Sequence, residues 1–149
     1  MIFQLMNIQR CIVSGQKNLD AQQVEFVEKG NRYLRAYASG MHSSVLEPTL
    51  AYLSDYTKIH FLTQETFMRE NGYPTLETHI IHHSNYIKKI AQIFKSLLNY
   101  KSVLNEDIYA NLSLNMCMAI SDWFEFHILN DDNRLNEYIL YEIRHKKEL

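Results

Sequence analysis

Residues that punctuate or cross-link a chain are scarce here: 149 residues include only four glycines, two prolines and two cysteines. So little punctuation argues against many short strands joined by tight turns and favours a few long helices. Cys11 and Cys117 lie far apart with no CxxC spacing; this leaves room for one bridge but suits a reduced, intracellular protein more simply. No apolar run approaches the roughly 20 residues that cross a bilayer. Residues 1–15 lack a basic leader, and Gln4, Asn7, Gln9 and Arg10 interrupt their apolar positions, so they read as neither signal peptide nor anchor. A formal net charge of −2 gives no excess of positive charge for nucleic acid. The Arg144-His145-Lys146-Lys147 run suits a helix C-terminus. These absences lead us to expect a soluble, cytoplasmic chain with no nucleic-acid or membrane partner; they say nothing of oligomeric state.

What is present is apolar residue content, 46% of the chain, enough for one domain with its own core. Apolar residues recur at three- and four-residue intervals through four segments, about 20–39, 44–71, 75–100 and 105–129, with a short terminal helix possible over 134–147. The first carries Phe26, Val27, Leu34 and Tyr37, with Asp20 as N-cap and Gln23 three residues on as in a capping box; Gly30 interrupts it and Gly40 stops it. The second carries Leu46, Leu50, Leu53, Thr57, His60 or Phe61, Gln64, and Phe67 or Met68, and Asn71-Gly72-Tyr73-Pro74 ends it. The third carries Leu76, His79, His83, Ile87, Ile90, Phe94 and Leu97; the fourth carries Leu112, Met116, Ile120, Trp123 and His127 before Asn130-Asp131-Asp132-Asn133 breaks the pattern. Long helices with short connections pack most economically as an all-α, antiparallel up-down-up-down four-helix bundle. The whole chain, 1–149, reads as one domain.

Histidines fall on the inward stripes. His79 and His83 are four residues apart, so both imidazoles point the same way from adjacent turns. That spacing can grip one ion twice, although such a pair alone is weak evidence. His60 and His127 face inward on two other helices, and Asp132 follows His127 by five residues, past the expected helix end, where it can fold back over the ring. Several imidazoles in an apolar core need a metal or a hydrogen-bond network. His82 falls nearer the rim, and His42 and His145 read as solvated. Phe26, Phe61, Trp123, Phe124 and Ile128 are first of all core and would line a small-ligand pocket beside a metal. Phe67 and Met68 read as packing only. No Ser-His-Asp or Cys-His spacing and no glycine-rich phosphate loop occurs, so hydrolase, kinase and nucleotide-binding readings lack support.

Three motifs resemble the hemerythrin family, including the bacterial hemerythrins. Tyr56-x3-His60-Phe61-x2-Gln64-Glu65 is similar to the family's Y-x3-H-F-x2-E-E. Tyr73-Pro74-x4-His79-x3-His83-x2-Tyr86 is similar to Y-P-x4-H-x3-H-x2-F, and Trp123-x3-His127-Ile128-x3-Asp132 to W-x3-H-I-x3-D. Leu19-Asp20-Ala21-Gln22-Gln23 more weakly resembles I-D-x-Q-H. The resemblance implies a bundle holding two irons bridged by oxygen and carboxylates, with dioxygen binding at one of them and no catalytic turnover. It implies that His79, His83 and His127 serve one iron, His60 the other, and Asp132 bridges. Gln23 and Gln64 stand where the family has a histidine and a bridging glutamate. A neutral amide cannot bridge two cations or offset their charge, so a mononuclear iron or zinc site is the expectation here. A complete di-iron centre and a metal-free core, with the bundle kept as a structural or regulatory module, remain alternatives.

Overall fold

Four long helices form the frame: α1 Lys17–Ala38, α2 Leu46–Glu70, α3 Leu76–Tyr100 and α4 Glu106–Asp122. The last does not stop. It passes through a π-helical segment, Trp123–Asp132, into α5, Asn133–Glu148. This computed structural model describes residues 3–103 and 105–148, except the side chains of residues 42, 143, 144, 147 and 148. Each helix packs on its neighbour in sequence and α1 closes against α4, giving the all-α four-helix bundle. Among the described residues no helix is long and apolar enough to cross a membrane.

Local chemistry explains the helix ends. Gly72, at φ +62°, lets Tyr73 N–H reach Met68 O at 3.0 Å and closes α2 with a left-handed residue that a side chain would strain. Asn105 caps α4 by accepting from Ile108 N–H at 3.0 Å. The expected cap of α1 is corrected: the helix begins at Lys17, leaving Asp20 inside its first turn. Its carboxylate faces backwards, accepting from Ser14 N, Ser14 Oγ and Gly15 N at 2.9, 2.7 and 2.9 Å. Asp20 therefore ties down the preceding arm, and Gln23 is released from a capping box.

That arm, residues 3–16, is strapped across the bundle by side-chain amides. Asn31 pairs with both backbone groups of Met6 at 2.8 and 2.9 Å, Asn133 with Ile12 N and Arg10 O, and Asn136 with Ile12 O at 2.7 Å. Gly30 makes the approach possible: a Cβ there would stand 2.4 Å from Met6 Cε and 2.9 Å from Ile120 Cγ2. The glycine that interrupts the α1 pattern is a packing requirement.

The stripe of α3 also differs from expectation. Its buried positions are His79, His83, Tyr86, Ile90, Ile93 and Leu97, an alternating four-three spacing, whereas Ile87 and Phe94 are exposed by 42% and 44%. Both lie one residue out of register, about 100° around the helix from the buried seam. The main core joins α1 to α4 through Phe26, Phe61, Tyr86, Met116, Ile120, Trp123, Phe124 and Ile128. A smaller cluster, Leu19, Met68, Tyr73, Leu135 and Ile139, seals the other end. Phe67 is packed against this second cluster as well.

Candidate metal centre

Between the two apolar clusters lies a buried polar group. His79 and His83 from α3, and His127 and Asp132 from the π-helical segment, each offer one ligand atom, all within 4.8 Å of one another. They are exposed by 3, 1, 3 and 1%. The π-helical segment makes this possible. In an α-helix, residues five apart diverge by about 140° around the axis; the i→i+5 pattern of a π-helix aligns them. His127 and Asp132 thus share a face within a continuous helix, which corrects the expected break and folded-back carboxylate. Asn130 supports the wide turn, donating to Glu125 O and Phe126 O, each at 3.1 Å.

Asp132 Oδ1 sits 3.1 Å from His79 Nε2 and 3.0 Å from His127 Nε2. The latter is an ion-pair contact without hydrogen-bond alignment, whereas His83 Nε2 is a buried polar atom with no partner at all. An orphaned nitrogen of this kind is costly unless another group satisfies it. Their outer nitrogens are held by acids: His83 Nδ1 lies 2.7 Å from Glu65 Oε2, and His127 Nδ1 lies 2.9 Å from Asp131 Oδ2. Carboxylates on the far nitrogen fix the tautomer that turns a lone pair inward, the usual support of a metal-ligating histidine. Phe61 stacks on His83 at 3.9 Å and 6°, and Trp123 on His127 at 3.8 Å and 16°, so neither ring is free to rotate.

Electrostatics follows from this arrangement. Burial, reinforced by neighbouring imidazoles, drives His83 down to about 2, so it stays neutral. Burial likewise opposes a charge on His127, but Asp132 and the hydrogen bond to Asp131 outweigh it and raise the ring to about 9. Burial works against Asp132 too, yet His127 and His79 hold its carboxyl well below the ordinary range. In the metal-free protein a buried imidazolium–carboxylate pair therefore balances the charge that a cation would otherwise supply.

The set of three imidazoles and one carboxylate fits a tetrahedral transition-metal site. Ligand atoms about 2.05 Å from such an ion stand roughly 3.3 Å apart, so the 3.0 and 3.1 Å contacts need open by only a few tenths of an ångström. Fit to a second ion is poor. His60, 2% exposed, belongs to no group of three or more donors among the described residues. Its Nδ1 is engaged by Gln22 Oε1 at 2.7 Å, its ring stacks on Tyr56 at 4.8 Å and 10°, and burial pushes it down to about 4. Gln23 is buried, beside Cys11 of the arm. Gln64 donates to Asp132 Oδ1 at 3.0 Å and its Oε1 lies 2.8 Å from His79 Nε2.

Among the proposed pocket residues, Phe61 and Trp123 flank the imidazoles, while Phe26 packs at a tilt against Tyr56, ring centroids 4.9 Å apart, and Phe124 and Ile128 lie in the main core. His145 is exposed; the side chain of His42 lies outside the described residues. Sequence reasoning missed Glu65 and Asp131 as supports and Gln22 as partner of His60. Asp131 had a signal, being one turn beyond His127; Gln22 had none.

Comparison with known proteins finds three bacteriohemerythrins of note. That of Clostridium acetobutylicum is 30% identical over 87 residues, 58% of this chain and 60% of that protein. That of Campylobacter jejuni is 27% identical over 129 residues, 87% and 90%, and that of Pseudomonas aeruginosa 28% over 119 residues, 80% and 71%. The chain thus spans under two thirds of the Clostridium protein and most of the Campylobacter one. No family model matches the chain, and no solved structure matches it.

Proposed function

We propose, on the premise that the chain is a hemerythrin-like protein, that it holds one transition-metal ion, iron in its working form, and through it binds dioxygen or a related small ligand for storage, delivery or sensing. The observation that carries this reading is the buried, partnerless Nε2 of His83, in a group where His79, His83, His127 and Asp132 each bring a ligand atom within 4.8 Å of the others. His79, His83, His127 and Asp132 are the ligands. A bound iron would offer a position to a diatomic molecule by expanding its coordination beyond the four protein ligands. Glu65 and Asp131 hold the outer nitrogens, Phe61 and Trp123 fix the ring planes, and the surrounding aromatic core excludes water. Binding without turnover is the role we assign. We place the protein in the cytoplasm because both cysteines are free thiols, as a reducing compartment would keep them.

A second reading keeps the bundle as a regulatory or structural module with a mononuclear zinc or no metal. Gln64 favours it, since its amide already satisfies both Asp132 and His79 and closes the group without an ion. Elemental analysis of protein produced with iron supplied tests the two. One iron per chain, lost in His83→Ala, supports the first; one zinc or no metal turns the reading to the second.

A further inference from the structure

We propose that His82, Asp131 and the outward nitrogen of His127 form a solvent-facing capture site through which a divalent transition-metal ion reaches the buried group; this deepens the metal-binding reading and rests on it. The three residues each offer one ligand atom within 4.8 Å of the others. Asp131 Oδ2 lies 2.6 Å from His82 Nδ1 and 2.9 Å from His127 Nδ1. Side-chain exposure falls along the series, 42% for His82, 18% for Asp131 and 4% for His127. A cavity of about 280 Å³ opens over them, also lined by Asn85, Asp122 and Lys89. The buried ligands are nearly sealed, and a metal site needs a way in.

His127 is common to both groups. Its Nδ1 faces the cavity side and its Nε2 faces Asp132, so one ring separates the two positions. A neutral imidazole has one lone pair, and the positions compete for it. An ion outside takes the Nδ1 edge and an ion inside takes the Nε2 edge, while stacking on Trp123 keeps the ring plane fixed throughout. The two positions fill in succession, so saturation remains one ion per chain.

Asp131 serves both stages, as outer ligand and then as support of His127. His82 serves only the first, which makes it the residue that separates rate from equilibrium. Were His82 merely an anchor for Asp131, its loss would weaken final affinity through the tilt of His127 and leave the loading rate alone.

The test mixes metal-free full-length protein with Co²⁺ and follows visible absorption as the ion becomes coordinated. His82→Ala should load roughly tenfold more slowly than the unaltered chain, with the same final spectrum and one Co²⁺ per chain. Lys89→Glu, which replaces a cation at the cavity with an anion, should load several-fold faster, less so at high salt. Unchanged loading rates in both variants overturn the capture site, as does lowered final occupancy in His82→Ala at an unchanged rate. A parent chain that takes up no Co²⁺ at all overturns the metal-binding reading itself, and this inference with it.

Discussion

Gln64 Nε2 donates to Asp132 Oδ1 at 3.0 Å inside the buried group, so an amide occupies the place where a second anion would crowd the first. Replacing it by Gln64→Glu sets two carboxyls at hydrogen-bond distance. In the metal-free protein they must share a proton, and the stability loss, on the order of 2 kcal/mol, should grow as pH rises. Metal should reverse the effect. We expect thermal unfolding to show a lower midpoint without metal and a larger metal-induced rise than in the parent.

Adding Gln23→His to that change restores both departures from the family pattern. The double variant should bind more iron than the parent, moving from one ion per chain toward two. Unchanged metal content would mean that the surroundings of His60, including its bond to Gln22, have diverged beyond those two positions.

Glu65 touches no proposed ion but holds His83 Nδ1 at 2.7 Å. Glu65→Gln keeps the shape and removes the charge, so metal affinity should fall by about 10–100-fold. Competition against a chelator of known strength measures it. Equal affinity would refute the supporting role.

His60 is pushed down to about 4, chiefly by burial, while in the unfolded chain it titrates near the ordinary value of about 6.5. The unfolded state therefore binds more protons between those values, and stability falls as pH falls from about 6.5 to about 4. Above that window His60 is neutral in both states and contributes nothing; below it the penalty reaches about 3 kcal/mol, from roughly 2.5 pH units at about 1.36 kcal/mol each. Denaturant unfolding of metal-free His60→Gln across the same window should show a shallower pH slope than the parent. An identical slope would mean that His60 is not the group responsible.

Gly30→Ala should destabilise the fold by about 1–3 kcal/mol. The flexible end of Met6 can move away from the new methyl, but Ile120 Cγ2 at 2.9 Å is held in the core. Chemical denaturation of this variant with Met6→Ala would recover part of the loss if the arm is the main source of the clash.

Much of the architecture was readable because so few glycines and prolines leave the helices little room to end elsewhere. Gly72 and Asn105 sit where their chemistry requires. The last helix was misjudged for a local reason: Asn130-Asp131-Asp132-Asn133 has the composition of a turn. Each side chain is instead committed to the fold, Asn130 to the π-helical carbonyls, Asp131 to two histidines, Asp132 to the buried group and Asn133 to the arm. Periodicity located His79, His83 and His127 on inward faces, but it could not show that His60 would stand apart. That separation depends on long-range partners, Gln22 and Tyr56, whose positions no spacing encodes. Ile87 and Phe94 were misplaced because hydrophobicity alone does not distinguish neighbouring columns on one helix.

The wide turn between Trp123 and Asp132 sets an angular offset between the two halves of the longest rod in the molecule. Wound as an ordinary α-helix, the same ten residues would turn the distal half by about 100°. Asp132 would swing away from the imidazoles as Asn133 and Asn136 left the arm and Leu135 and Ile139 left their apolar partners. The buried histidine–aspartate group and the docking of the arm and α5 thus hang on one backbone irregularity, and neither survives its loss.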